Sequence, residues 1–485
     1  MKISQLVARL GFIKIIGQDC NVRHLTHSSK DCINGSLYFC LKGDCFDGAD
    51  YVKEAEKNGA VAIVSEEILD TSLTQIIVKD ARESMSEICA EFYSNPQNML
   101  KIIGVVGTNG KTTTCHIIEN ILKVAGYNVA NIGTLGIKYN GKTISTDMTT
   151  PDPEILYKYL CDMVYASVDY VVMEVSAHAI YYKKISPIMF DSIVYTNVSQ
   201  DHLDFFDNMQ EYVGIKRSVL CKKHAKRLII NADDELGREV IKQEECFSYG
   251  IENPCDVFAI NVEENENGIK YVMNLFDDVI NIECPLIGLH NVYNTLAAAT
   301  CLYEAGIDTD DIAYGIKELT QVSGRGQLCA KTLNGGKVYV DYAHTPDGLK
   351  KILFSMKNIS KGKVVCLFGC GGNRDKSKRE IMGEVSGSCA DFTIITTDNP
   401  RFEDALKIMS QIEKGVRKKT LSYISIADRY QAIEYGINML EEGDVLLVAG
   451  KGGETTQEVM GIKRKFNDAD VINEIVGGKN VRKIN

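Results

Sequence analysis

Short apolar runs that stop abruptly at glycine or a polar residue recur along this chain. They alternate with longer segments whose apolar positions return every three to four residues. KIIGVVG, YVVMEVS and SIVYTNVS are β-branched and too short for helices, whereas HIIENILKVAG between them has helical spacing. Strands alternating with helices predict βαβ units and a mostly parallel sheet. Three stretches separate on this pattern. Residues 1–98 read as mixed α/β and end in the polar FYSNPQNML. Residues 99–327 carry the alternation just described, and residues 328–485 alternate again through KVYVDYAH, KVVCLFGCGG, DFTIITTDNP and DVLLVAGKGG. The expected fold class is α/β in three domains with these bounds.

The last set carries chemistry. Each strand runs straight into Gly, Asp, Asn or His, and open parallel sheets bind ligands beyond the carboxyl ends of their strands. A second binding surface is therefore expected in the last third. The first is the loop GTNGKTTT, where Gly107, Thr108, Asn109, Gly110, Lys111, Thr112 and Thr113 follow a strand and open a helix. Glycines let backbone N–H groups wrap phosphate oxygens, Lys111 can neutralise the β and γ phosphates, and Thr112 or Thr113 can hold Mg²⁺. The spacing departs from GxxxxGK[ST], because Val105 stands at the first glycine position. These residues predict an enzyme that binds ATP and Mg²⁺. A nucleotide loop alone fits kinases, GTPases, motors and ligases equally.

Further candidates follow later strands. Glu174 ends YVVMEV, where a carboxylate can ligate Mg²⁺ directly or through water. TNVSQDHLDFF gathers Asn197, Asp201, His202 and Asp204, with His202 a candidate metal ligand among acids. Lys216 lies in EYVGIKRSVL, and periodicity alone puts it on a solvated helix face.

Composition narrows the partners. A formal net charge of -11 argues against a nucleic-acid or anionic-membrane surface and leaves room for a local basic pocket. The sixteen cysteines contain no CxxC pair and read as free thiols rather than a zinc site. The N-terminus is broken by Arg9 and Lys14, and no apolar run is long enough to span a bilayer, so the expected location is the cytoplasm.

GTNGKTTT, MEVSAHA, TNVSQDHLD with YVGIK, LIGLHNVYN, SGRGQ and DYAHTPD occur in this order over nearly the full length. The chain resembles the Mur ligases, ATP-dependent amide-forming enzymes of peptidoglycan synthesis. Within them it is most similar to those that add the third residue of the stem peptide. The resemblance implies an N-terminal UDP-sugar domain, a central P-loop ATPase domain with a mostly parallel sheet, and a C-terminal Rossmann-like amino-acid domain. It implies that ATP phosphorylates the D-glutamate carboxylate of UDP-MurNAc-L-Ala-D-Glu, and that an amine of the incoming amino acid attacks the acyl phosphate. It implies catalytic roles for Lys111, Glu174, His202 and Lys216, with Thr112, Glu174, His202 and Lys216 (as a carbamate) around the metal. Asn294, Arg325, Asp341 and His344 match nucleotide positions. Arg374, Asp398, Asn399, Pro400, Arg401, Gly450 and Glu454 match the amino-acid pocket. The DNPR form, with Arg401, resembles members selecting meso-diaminopimelate, since an extra carboxylate calls for an extra guanidinium. Glu454 would meet the distal ammonium. Ser29, Thr149, Thr150, Ser176, Tyr182 and Lys184 fall on UDP-sugar-peptide positions. No membrane insertion is expected, and the expected state is a monomer.

Departures from the family's pattern gather on the acceptor side. Met148 replaces an Asn, Tyr182 and Lys184 replace Gln and Arg, Phe206 replaces a His, and Ser28 and Lys30 flank Ser29 in place of Asp and Arg. In the last third, Gly453 replaces a His. Other readings remain at this point. They are a ligase for L-lysine or a different acceptor, a folylpolyglutamate synthetase, which GSLYFCLKGDCFDGADYVKEAEKNGAVAIV disfavours, and a non-catalytic nucleotide sensor.

Overall fold

The computed structural model describes residues 1–10, 14–43 and 46–482, so Asp44 and Cys45 of the stretch quoted last lie outside them. Two compact units emerge. One comprises Met1–Val106, Tyr127–Ile193 and Ser218–Leu228, and the other Gly107–Gly126, Val194–Arg217 and Ile229–Asn485. The fold is α/β throughout, with sheets in which parallel pairs dominate.

The first unit contains a five-stranded sheet in the order Lys14–Ile16, Thr74–Ile77, Ala60–Ser65, Ser36–Phe39, His24–Thr26. Only its first pair is antiparallel. The same unit contains the strand order Lys101–Val106, Tyr170–Val175, Val129–Gly133, Gly136–Tyr139, Lys142–Ile144. Tyr170–Val175 pairs in parallel with both its neighbours and is buried along its whole length. A strand covered on both faces needs apolar residues at every position, which YVVMEV supplies except at Glu174.

In the second unit Phe247–Gly250 pairs in parallel with residues 229–231 and with Val257–Asn265. Val257–Asn265, Gly268–Leu275 and Asp278–Cys284 then form an antiparallel meander. The residues explain that change. Alternating apolar and polar positions in GIKYVMNL bury one face, and Gly268 turns at φ +130° where a Cβ would lie 2.1 Å from Cys284 O.

The last third forms a six-stranded sheet in the order Gln327–Lys331, Lys337–Asp341, Val445–Ala449, Val364–Phe368, Phe392–Ile395, Tyr423–Ser425. All pairs but the first are parallel. Successive side chains divide between its faces. Tyr339, Cys366, Phe368 and Leu447 pack with Leu349, Leu353, Met382 and Ile412 of three helices on one face. Val338, Val365, Leu367 and Leu446 pack with Ile433, Ile437 and Ile472 on the other. Both faces are thus covered, and the five mutually parallel strands end at one edge of this core while Gln327–Lys331 ends at the other. Beyond it, Thr456–Val459 and Ile462–Lys465 form a hairpin.

No described helix is long and apolar enough to cross a membrane. The described cysteines are free thiols and none is exposed.

Candidate active site

The chain leaves the strand Lys101–Val106 and enters the helix Lys111–Val124 through Gly107–Gly110. Glycine is required twice. A Cβ at Gly107 would lie 1.9 Å from Thr196 Oγ1, and Gly110 has φ +88° with Asn294 Oδ1 2.5 Å from the Cβ position. The residues after the strand Phe190–Tyr195 pin the loop. Thr108 N–H donates to Asn197 O (2.8 Å), Asn109 N–H to Asn197 Oδ1 (3.0 Å), and Thr196 Oγ1 to Asn109 O (2.7 Å). Asn294, buried on the helix Leu289–Tyr303, also accepts from Thr114 Oγ1 at 3.2 Å.

Two ammonium groups converge on one carbonyl. Lys111 Nζ donates to Gly107 O and Thr108 O at 2.9 Å, and Lys216 Nζ donates to the same Gly107 O at 2.9 Å. The solvated position that periodicity predicts for Lys216 is overturned. Lys216 and Tyr212, four residues apart on the helix Met209–Ser218, are its buried residues, and Nζ lies 4.6 Å from the Tyr212 ring centroid. Burial, and then the charge of Lys111, holds the Lys216 ammonium well below the ordinary lysine range.

The last third reaches the same loop. Arg325 Nη2 donates to Thr112 Oγ1 (3.1 Å), with its guanidinium 4.1 Å from the Tyr342 ring centroid. Asp341 accepts from Gly326 N–H and Ala343 N–H, both at 2.7 Å; desolvation pushes its carboxyl up against the charge of Arg325. Asn109 Nδ2 donates to Asp347 Oδ2 at 3.2 Å. His202 and His344 meet on buried Asp201, each with Nε2 3.4 Å from Oδ2, and Lys378 Nζ lies 3.5 Å from Oδ1. Desolvation would raise Asp201, but the His344 hydrogen bond and the charges of His344, His202 and Lys378 outweigh it and hold the carboxyl well down.

Glu174 belongs to the first unit. It is 2% exposed, and Thr134 donates to it through N–H (2.8 Å) and Oγ1 (3.1 Å). Gly133 makes room, since a Cβ there would lie 2.3 Å from Glu174 Oε1. Thr150 Oγ1 donates to Glu174 O (2.8 Å) and receives Ser176 N–H (3.1 Å), while Ser176 caps its short helix through Ala179 N–H. Thr149 Oγ1 lies 3.3 Å from Thr134 Oγ1. Buried Lys184 pairs with Asp152 at 2.8 Å. Arg82 stacks 4.1 Å from the Tyr182 ring centroid. Ser29, further off in the chain, donates to Glu54 at 2.5 Å. Among the described residues no group of three or more His, Cys, Asp and Glu side chains is set to hold a metal. The Thr112 hydroxyl and Glu174 carboxylate are nonetheless hard oxygen donors, which suit Mg²⁺ by their chemistry.

The amino-acid candidates gather at the exits of Phe392–Ile395 and Val445–Ala449. Asp398 is buried, and desolvation raises its carboxyl against the charge of Lys451. Gly450 has φ +103°, and Asp398 Oδ2 lies 2.8 Å from its Cβ position. Glu454 Oε2 accepts from Asn399 Nδ2 (2.8 Å) and Lys451 Nζ (2.9 Å). Arg401, at φ +49°, donates from Nη1 to Gly372 O at 2.8 Å. Pro400 O closes on Gly372, lying 1.9 Å from where a Cβ would stand. Arg374 is half exposed, with Nη1 3.6 Å from Asp204.

Three family models match the chain: the Mur ligase family catalytic domain over residues 21–93, the Mur ligase middle domain over 105–302, and the Mur ligase glutamate ligase domain over 324–452. The UDP-N-acetylmuramoyl-L-alanyl-D-glutamate–2,6-diaminopimelate ligase 1 of Clostridium acetobutylicum is 35% identical over 98% of this chain and 99% of its own length. The chain belongs to the Mur ligase family. The corresponding diaminopimelate ligase of Bacillus velezensis is 38% identical over 93% of this chain and 94% of its own. A solved structure of a ligase of that name superposes with TM-score 0.69 at 26% identity, covering 99% of both chains.

In this Mur ligase two departures touch each other: Lys184 Nζ lies 2.9 Å from Met148 Sδ. A third, Phe206, is buried and packs 5.3 Å, centroid to centroid, from Tyr212, beneath Lys216. Sequence reasoning missed Lys451, Arg429, Lys378, Asp347 and Glu458. A single charged residue in a loop, helix or strand gives no signal of its own. Arg429 is buried: its guanidinium meets Asp468 at 2.7 and 2.8 Å and donates to Thr397 O and Ala449 O, tying two strand exits together.

Proposed function

We propose that this Mur ligase uses ATP to join meso-diaminopimelate to UDP-MurNAc-L-Ala-D-Glu, in peptidoglycan precursor synthesis. The convergence of Lys111 and Lys216 on Gly107 O carries the reading. The Lys111 ammonium beside the glycine-loop N–H groups forms a site that suits a triphosphate, with Lys216 at the same carbonyl. The relatives' names support it: they are diaminopimelate ligases matched over nearly their whole length.

In this reading Gly107, Thr108, Asn109, Gly110, Lys111, Thr112 and Thr113 cradle the phosphates. Asn294, Arg325, Asp341 and His344 complete the nucleotide site. Lys111 draws charge from the γ-phosphoryl group while the D-glutamate carboxylate attacks its phosphorus and ADP leaves. The acyl phosphate that results has a good leaving group, which a bare carboxylate lacks. The neutral amine of the amino acid then adds to the acyl carbon, and the tetrahedral adduct collapses to amide and phosphate. Thr112, Glu174, His202 and Lys216 would hold Mg²⁺, which when bound neutralises the phosphate oxygens. The lowered proton affinity of Lys216 makes the free amine, the form that adds CO₂ to become an anionic carbamate, easier to reach than in an ordinary lysine. Ser29, Thr149, Thr150, Ser176, Tyr182 and Lys184 form the acceptor side. Arg374, Asp398, Asn399, Pro400, Arg401, Gly450 and Glu454 form the amino-acid pocket. We assign residues 1–98, 99–327 and 328–485 to the UDP-sugar, ATP and amino-acid domains of a cytoplasmic monomer.

A phosphate-release assay with ATP, Mg²⁺ and UDP-MurNAc-L-Ala-D-Glu tests the reading. Release is expected with meso-diaminopimelate and much less with L-lysine or no amino acid. Equal release with lysine would sink the substrate assignment.

A further inference from the structure

Three residues assigned to the acceptor side belong to one short helix and its caps. Ser176 opens Ala177–Tyr181, and Tyr182 and Lys184 follow its end. The helix closes in a two-bond turn: Lys183 N–H donates to Ile180 O (3.0 Å) and Lys184 N–H to Ala179 O (2.9 Å). Such a turn puts the residue after the cap in the left-handed region, where glycine or asparagine is usual. Here that residue is Lys183, at φ +54°. A side chain in that region strains the backbone and persists only where its surroundings hold it.

The helix Ala81–Phe92 does so from behind. Lys183 Nζ donates to Asp80 Oδ2 and Glu83 Oε2, both at 2.8 Å. Two carboxylates on one ammonium form a network rather than a lone surface pair. Ser86, fully buried on the same helix, donates from Oγ to Lys183 O at 2.7 Å. Arg82 lies against the Tyr182 ring on one flank, and Asp152 fixes the Lys184 ammonium on the other.

We propose that Lys183 is a positioning residue for the acceptor: its two ion pairs hold the left-handed turn that sets Tyr182 and Lys184. It acts through these neighbours, because its own ammonium is turned to the helix Ala81–Phe92. The role rests on the acceptor assignment made under Proposed function and adds to it the device that keeps those side chains in place.

Lys183→Ala removes both ion pairs and leaves the backbone strain, whereas Lys183→Gly removes the pairs and the strain together. In Lys183→Ala, KM for UDP-MurNAc-L-Ala-D-Glu is expected to rise on the order of tenfold, while kcat and KM for ATP stay within about twofold. Lys183→Gly and Lys183→Arg should each recover most of the rise. Glu83→Gln, which leaves Asp80 as the cap of its helix, should give a smaller rise in the same direction. An unchanged acceptor KM in Lys183→Ala, a glycine variant no better than the alanine one, or a matching rise in KM for ATP would overturn the positioning role. Wild-type enzyme that releases no phosphate with UDP-MurNAc-L-Ala-D-Glu, whichever amino acid is supplied, would instead overturn the acceptor reading, and the positioning role with it.

Discussion

The phosphate loop and the amino-acid pocket are both built where parallel strands end, yet their charges are arranged in opposite ways. At the loop, Lys111 and Lys216 share one carbonyl, and burial and mutual repulsion lower the proton affinity of Lys216. In the pocket the charges are paired beforehand: Lys451 with Glu454, Arg401 with Glu458, and Arg429 with Asp468. A loop that gathers lysines suits a highly charged anion whose identity matters little beyond its phosphates. A balanced site suits a zwitterion and rejects ligands that answer only one of its charges.

The largest effect is expected at the loop. Lys216→Ala should lower kcat about a thousandfold or more, and short carboxylic acids added to the assay should restore part of it. Full activity in that variant would return Lys216 to a structural role. Next comes the pocket's foundation. Arg429→Met leaves Asp468 buried without its partner, and urea unfolding should show a loss of about 3–5 kcal/mol. A loss under about 1 kcal/mol would mean that the pair supports little beyond itself. Arg401→Ala should raise KM for meso-diaminopimelate about thirtyfold or more while KM for ATP stays within about twofold. If both constants rise together, loop and pocket are one site and the contrast fails. The smallest effect lies in the first unit. His27 Nδ1 lies 2.5 Å from Glu154, and that hydrogen bond raises the imidazole against the desolvation that lowers it. A raised pKa means stability present below about 6.5 and lost as pH climbs through the folded-state value. The melting-temperature gap between wild type and His27→Gln should therefore shrink from pH 6 to pH 9, and a gap that widens would reverse the sign.

Much of the fold was legible because periodicity is a local property. YVVMEV and VLLVA read as strands and are strands, buried along their whole length. The antiparallel meander from Val257 to Cys284 was not read, since its alternation is diluted by the polar turn residues NENG. Gly107 and Gly110 stood out in a strand–glycine–helix pattern, and the structure supplies the contacts that exclude a side chain at each. Lys216 misled, because a lysine on an amphipathic helix looks the same whether its face meets water or the loop.

The sequence by itself determined the alternation of strands and helices, the glycine-bearing loop and the family, since each is written in residue types at short spacing. The tertiary structure alone decided which charges meet. Lys111 and Lys216 are joined through Gly107, Arg325 reaches Thr112 across more than two hundred residues, and Glu458 stands beside Arg401. The reason is physical: a charge acts through distance and local dielectric, and neither is known until the chain has folded.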